Sequence, residues 1–154
     1  MANCDSCNKK IGEEDLTIDT KGETICSDCL IKNNNWLILI QKFTNEGQYD
    51  TARIMSQEII NKINLVSNEN RDEFLIFAYT SEGISNMALG NYLNAAKSFG
   101  KALEINPKNI EILHKLAATY LLNNKKNKAL IIFDKILSIN PKDETAINMK
   151  NIHS

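Results

Sequence analysis

The sequence predicts a mostly α-helical protein, an α–α superhelix of stacked helical hairpins behind a small N-terminal module built on cysteines and a β-hairpin. Three observations carry that expectation. All four cysteines lie in two matched pairs, CDSC at 4–7 and CSDC at 26–29. The stretch GNYLNAAKSFGKALEINP at 90–107 aligns with NKKNKALIIFDKILSINP at 124–141, an offset of 34 residues. Apolar residues also recur at helical spacing, as in ILHKLAATYLL and ALIIFDKIL. With 154 residues, 43% of them apolar, there is room for one medium domain and a small appendage. The division falls between residues 1–32 and 33–154.

Charge and hydropathy remove several function classes. A net charge of -1 gives no whole-chain attraction for nucleic acid or an anionic membrane. Apolar runs such as WLILI at 36–40 and LIIF at 130–133 are far too short to span a bilayer. The opening MANCDSCNKK has no apolar core of a secretory signal, so a cytoplasmic, reducing location is expected, where structural disulfides are rare.

In the N-terminal module, Cys4, Cys7, Cys26 and Cys29 have the spacing of a structural zinc site. Each C-x2-C turn points two sulfurs the same way, and two turns close the four-thiolate tetrahedron that Zn²⁺ prefers. Between them, LTIDTKGETI at 16–25 alternates apolar and polar residues around Lys21 and Gly22, which predicts a short hairpin bringing the second pair to the first. After Cys29 the chain becomes helical in character. A thioredoxin-type redox pair would need one C-x2-C in a βαβ context, and a catalytic zinc would leave an open position. An iron–sulfur cluster accepts the same four thiolates. Some 32 residues bury too little to fold alone, and a metal supplies the missing free energy. Knuckle, hairpin, knuckle and helix resemble the zinc-ribbon and treble-clef modules, such as half of a LIM domain. The module is a poor nucleic-acid reader. Lys9, Lys10, Lys21 and Lys32 face Asp5, Glu13, Glu14, Asp15, Asp19, Glu23 and Asp28, an acidic surplus of three.

From residue 33 the 34-residue offset matches Ala95 with Ala129, Phe99 with Phe133, Ile105 with Ile139 and Gly83 with Ala117. Asn106 and Pro107 match Asn140 and Pro141. An earlier copy is marked by GQYDTA (Gly47, Tyr49, Ala52), which mirrors GNYLNA at an offset of 43, so nine extra residues intervene. Each unit reads as two antiparallel helices. Gly90 and Asn124 end the first helix in the left-handed region, Gly83, Ala95, Ala117 and Ala129 permit close approach, and Pro107 and Pro141 stop the second helix. One hairpin cannot cover its apolar face, so neighbours stack. The period and these positions resemble the tetratricopeptide repeat (TPR), with repeats at 33–66, 76–109 and 110–143 and a cap helix at 144–154. The insert around SNENRDEFL is expected to lengthen the first helix of the second repeat, capped by Ser67 or Asn68. Several residues depart from the pattern. Ile40 replaces a small residue, Ser56 replaces an aromatic one, and Glu82 and Asn86 stand where apolar or aromatic residues are usual.

In such solenoids the first helix of each unit lines a concave groove that binds a peptide or helix. The resemblance places Leu37 and Gln41 there from repeat one. Phe77, Thr80, Ile84 and Met87 follow from repeat two, and Glu111, His114, Ala118 and Leu121 from repeat three. Phe77, Ile84 and Met87 also fit a role in packing against the neighbouring repeat. The family's chaperone-tail binders hold a terminal carboxylate with Lys, Asn and Arg. Here Leu37, Gln41, Thr80 and Lys115 stand instead, and the surface suits an amphipathic segment. No P-loop, G-x-S-x-G, H-E-x-x-H or G-x-G-x-x-G is present, and the two histidines are 39 residues apart.

The expected function is therefore a non-enzymatic protein–protein interaction adaptor with a structural Zn²⁺. A thiol-redox or metal-responsive regulator is the alternative, and an accessory subunit that docks a catalytic partner is a third reading. Only IKNNN separates Cys29 from Trp36, and Trp36 to Ile40 are all apolar. A helix apolar on all sides needs cover on more than one side, so the cysteine module is expected to dock on repeat one.

Overall fold

The computed structural model describes residues 3–5, 8, 10, 11, 29, 35–63 and 70–153. Among these are seven helices: α1 Asn35–Asn45, α2 Tyr49–Ile63, α3 Arg71–Ala88, α4 Tyr92–Ile105, α5 Ile110–Leu122, α6 Lys126–Ile139 and α7 Glu144–His153. Each packs on the next in chain order, and α1 also meets α3 as α3 meets α5. Three antiparallel hairpins and a closing helix therefore stack in sequence, with the first helices of the hairpins side by side. Among the described residues no helix is long and apolar enough to cross a membrane.

The same turn closes all three hairpins. Gly47 (φ 74°), Gly90 (φ 77°) and Asn124 (φ 55°) take the left-handed conformation just past a helix end. The next residue's N–H reaches back five residues: Gln48 to Phe43 O (2.8 Å), Asn91 to Asn86 O (2.8 Å) and Lys125 to Tyr120 O (2.8 Å). This satisfies carbonyls that the helix itself leaves unpaired. Side-chain caps start two later helices. Asn109 Oδ1 accepts from Ile112 N–H (3.1 Å), and Asp143 Oδ1 accepts from Ala146 N–H (2.8 Å).

Small residues set the spacing inside each hairpin. Ala52, Ala95, Ala117 and Ala129 are fully buried. Gly83 is the extreme case, because a Cβ built on it would lie 2.6 Å from the Phe99 ring, itself fully buried. The third hairpin has Ala117 and Phe133 at the corresponding positions, whereas no Cβ fits between Gly83 and the Phe99 ring here. Gly83→Ala gains about 1 kcal/mol of helix propensity but overpacks at about 1–3 kcal/mol. Overpacking wins, since the contact is with the rigid ring of a fully buried Phe99. A melting temperature lower by a few degrees is expected, and an unchanged or raised one would refute the close approach.

Two apolar clusters form the interior. The first joins Trp36, Leu39 and Ile40 of α1, Met55, Ile59 and Ile63 of α2, and Phe74, Leu75 and Ala78 of α3 with Cys4, Ile11 and Cys29. The second joins Ala95, Phe99, Leu113, Ala129, Phe133 and Ile136, and reaches Ala146 of α7. Tyr79 borders both. α1 is covered on more than one side, while its Ile38 stays 68% exposed. One sequence expectation needs correction here. The lengthened helix does exist, 18 residues against 13 for α5, but it begins at Arg71 after Asn70 and not at a Ser67 or Asn68 cap. Packing decides that start: Phe74 and Leu75 are buried in the first turn and anchor the helix there.

Candidate partner-binding groove

The side-by-side first helices form a groove with two adjoining cavities. One, of about 540 Å³, lies along α1 and is lined by Leu37, Ile38, Gln41, Lys42, Asn45, Glu46 and Phe77. The other, of about 280 Å³, runs between α3 and α5 past Gln41, Glu73, Phe77, Thr80, Ile84, Glu111 and Lys115. Gln41 and Phe77 belong to both, so Phe77 stands at the junction. Its position is fixed from beneath, with the Trp36 ring edge-on to Phe77 (5.8 Å, 72°) and to Phe74 (5.4 Å, 79°).

The polar groups of the groove are mostly paired along their own helices. Lys42 is 4.0 Å from Glu46, and Lys115 is 3.2 Å from Glu111, both at i,i+4. Glu73 adds a third carboxylate. Thr80 Oγ1 is buried without a hydrogen-bond partner among the described residues, and Thr80 lines the second cavity. An unmet hydroxyl costs free energy that a bound peptide group would recover.

Of the residues expected from sequence, Leu37, Gln41, Phe77, Thr80, Ile84 and Glu111 line the two cavities. Met87, His114, Ala118 and Leu121 do not. Met87 packs between repeats, its sulfur accepting from Thr119 O–H (3.4 Å). His114 turns toward α7, with Nε2 3.1 Å from Asp143 Oδ2 and its ring 6.5 Å from that of Phe133. Ala118 is exposed, and Leu121 packs on the second cluster. Sequence reasoning missed Ile38, Lys42 and Asn45. They lie one turn apart along α1, a spacing that could have found them had the exposed face of the WLILI run been assigned to the groove.

Asp143 is held below the usual carboxylate range, first by the Ala146 N–H and then by His114, against a smaller opposing effect of burial. Its contribution to stability is present above its unfolded pKa and is lost as pH falls through the lower folded value. The pair joins α5 to α7 and is structural, with no substrate-sized space beside it among the described cavities.

At the N-terminus, Cys4 and Cys29 are buried against α1. Asn3 and Lys10 form an antiparallel bridge, and inside it Asn8, at φ 59°, donates its N–H to Cys4 O (2.7 Å). Cys7, Cys26 and the hairpin expected at 16–25 lie outside the described residues. Among the described residues no group of three or more His, Cys, Asp or Glu is placed to hold a metal.

Comparison with known proteins follows the geometry. Residues 86–150 match the sequence profile of the tetratricopeptide repeat. The chain is 26% identical over 138 residues to the Protein CTR9 homolog of Arabidopsis thaliana, covering 90% of this chain and 12% of that protein. It therefore spans about an eighth of that curated relative's length. Among solved structures it resembles the Hsp90 co-chaperone Cns1 from Saccharomyces cerevisiae (TM-score 0.67, 20% identity, 77% of this chain and 37% of that one). It also resembles the first TPR domain of Spaghetti (RPAP3) bound to the HSP90 peptide SRMEEVD (TM-score 0.62, 15% identity, 76% and 88%). Stacked hairpins, shared turns and a repeat matched over residues 86–150 together make this a tetratricopeptide-repeat fold.

Proposed function

We propose that this chain is a non-enzymatic adaptor that holds an amphipathic or extended segment of another protein in the groove of α1, α3 and α5. The observation that carries this is the pair of adjoining cavities meeting at Phe77, with Leu37, Ile38 and Ile84 as apolar seats. The likeness to a domain bound to an HSP90 peptide supports a peptide as the occupant. The charges argue against the same acidic tail. Glu73 and Glu111 face the second cavity, and Lys115 is already engaged by Glu111. A partner bearing apolar anchors flanked by Lys or Arg fits better.

Comparative pull-downs test the reading. A partner retained by the wild type is expected to be lost on Phe77→Asp, since a carboxylate would replace the central apolar wall, while circular dichroism stays helical. SRMEEVD is expected to compete poorly for that partner. An undiminished partner set with Phe77→Asp, or ready displacement by SRMEEVD, would overturn the groove or its polarity.

We also propose one Zn²⁺ held by Cys4, Cys7, Cys26 and Cys29, closing a thiolate shell that supplies folding free energy. The alternative reading, a redox- or metal-responsive regulator, has one observation in its favour. Cys4 and Cys29 share an apolar cluster with Trp36, and Trp36 supports Phe77 in the groove. Peroxide that releases metal and weakens partner binding together would favour the regulator. Metal retained through the same treatment would favour a purely structural role.

A further inference from the structure

Repeat two breaks its own pattern at Glu82 and Asn86, and the groove uses neither. Both sit two residues beyond the groove-facing Thr80 and Ile84, about 200° round α3, so they face the opposite side. There they meet Arg53 of α2 and Lys97, Ser98 and Lys101 of α4 around a pocket of about 260 Å³. We propose that this pocket is a second binding site, on the face opposite the groove, for a peptide segment carrying a carboxylate side chain.

The residues lining this pocket set the second repeat apart from the third. At the 34-residue offset, Glu82, Asn86 and Ser98 correspond to Leu116, Tyr120 and Ile132. In the third hairpin Leu116 belongs to the second apolar cluster, and Tyr120 and Ile132 pack against it. Polar residues in their place forgo that packing, which repeats of this kind concede where a site is needed. Asn86 is 4% exposed, lines the pocket and has no side-chain hydrogen bond among the described residues. Its amide can both donate to and accept from a ligand in the pocket.

Charge selects the ligand. Arg53, Lys97 and Lys101 outnumber Glu82 at the pocket. Arg53 also reaches Asp50 (3.4 Å), an exposed pair that water screens. Lys101 is held over the Tyr79 ring at 5.3 Å. Glu82 accepts the Ser98 hydroxyl (2.8 Å) and retains further lone pairs for a donor. A free anion would meet Glu82 unfavourably. An acidic peptide offers a carboxylate to the cations and a backbone N–H to Glu82.

Fluorescein-labelled hexaglutamate is the probe, titrated into the full chain at low salt and followed by anisotropy. Lys97→Gln with Lys101→Gln, both on the surface and not expected to disturb folding, should weaken binding by about tenfold. Lys125→Gln with Lys126→Gln, removing equal charge elsewhere, should leave it nearly unchanged. Asn86→Leu should weaken it too if the variant remains folded. Equal weakening by both lysine pairs would mean diffuse attraction and refute the site. Full displacement by millimolar inorganic phosphate would make it an anion site and refute the peptide. Phe77→Asp, expected to have no effect here, separates this proposal from the groove.

Discussion

Ala129→Glu is expected to unfold the third hairpin at temperatures where the wild-type protein is intact. Ala129 is fully buried in the cluster with Phe133 and Ile136, at the crossing where α5 and α6 pack. A glutamate there must find volume beside a fully buried alanine, and must also bury a carboxylate within an apolar cluster. The first effect costs about 1–3 kcal/mol and the second several more unless the group takes up a proton. Their sum approaches the whole stability of a domain this size, about 5–15 kcal/mol. Thermal melts followed by circular dichroism read the loss, with Ala129→Ser as a mild control. A melting temperature within a degree or two of wild type would contradict the hairpin pairing.

Metal removal is expected to loosen repeat one and to spare repeat three. Protein purified without added metal should hold one zinc per chain, and an iron chromophore or a metal-free protein would sink that expectation. Cys4, Ile11 and Cys29 pack in the same cluster as Trp36, Leu39 and Ile40, so loss of the proposed thiolate shell is expected to uncover α1. Amide exchange after chelation should lose protection at 36–43 while 113–137 stays protected, because the second cluster closes without the N-terminal segment. Trp36, the single tryptophan and fully buried, should shift its emission to the red. Equal loss across all repeats, or none in repeat one, would count against docking.

The hairpin architecture was legible because the repeat period, the small crossing residues and the turn residues are local signals. Gly90 and Asn124 could be assigned the left-handed region from their place after a helical run, and Gly47 follows from its match to Gly90. Half the groove was legible for the same reason, since spacing on a helix fixes which residues share a face. Spacing does not say what that face meets. His114 shares a stripe with Glu111 yet turns to Asp143, a partner 29 residues away that no local pattern announces. Met87 likewise meets Thr119 across a repeat boundary. The apolar run at 36–40 hid the exposed Ile38, because hydropathy alone cannot tell a covered face from one open to the groove. Glu82 and Asn86 were visible as departures, but only the placement of α2 and α4 turned them into a pocket.

The long third helix has a further consequence for the chain's own synthesis. Phe74, Leu75 and Ala78 of α3 complete the first apolar cluster. That cluster therefore cannot close on a nascent chain until α3 has left the ribosome. Until then Trp36, Leu39 and Ile40 have only part of their cover, and the cysteines are already outside. Once α3 arrives, its Tyr79 already offers a border for the second cluster, and each later hairpin docks on a surface its predecessor has finished. The order of translation is therefore also the order in which the residues of the two clusters become available to pack.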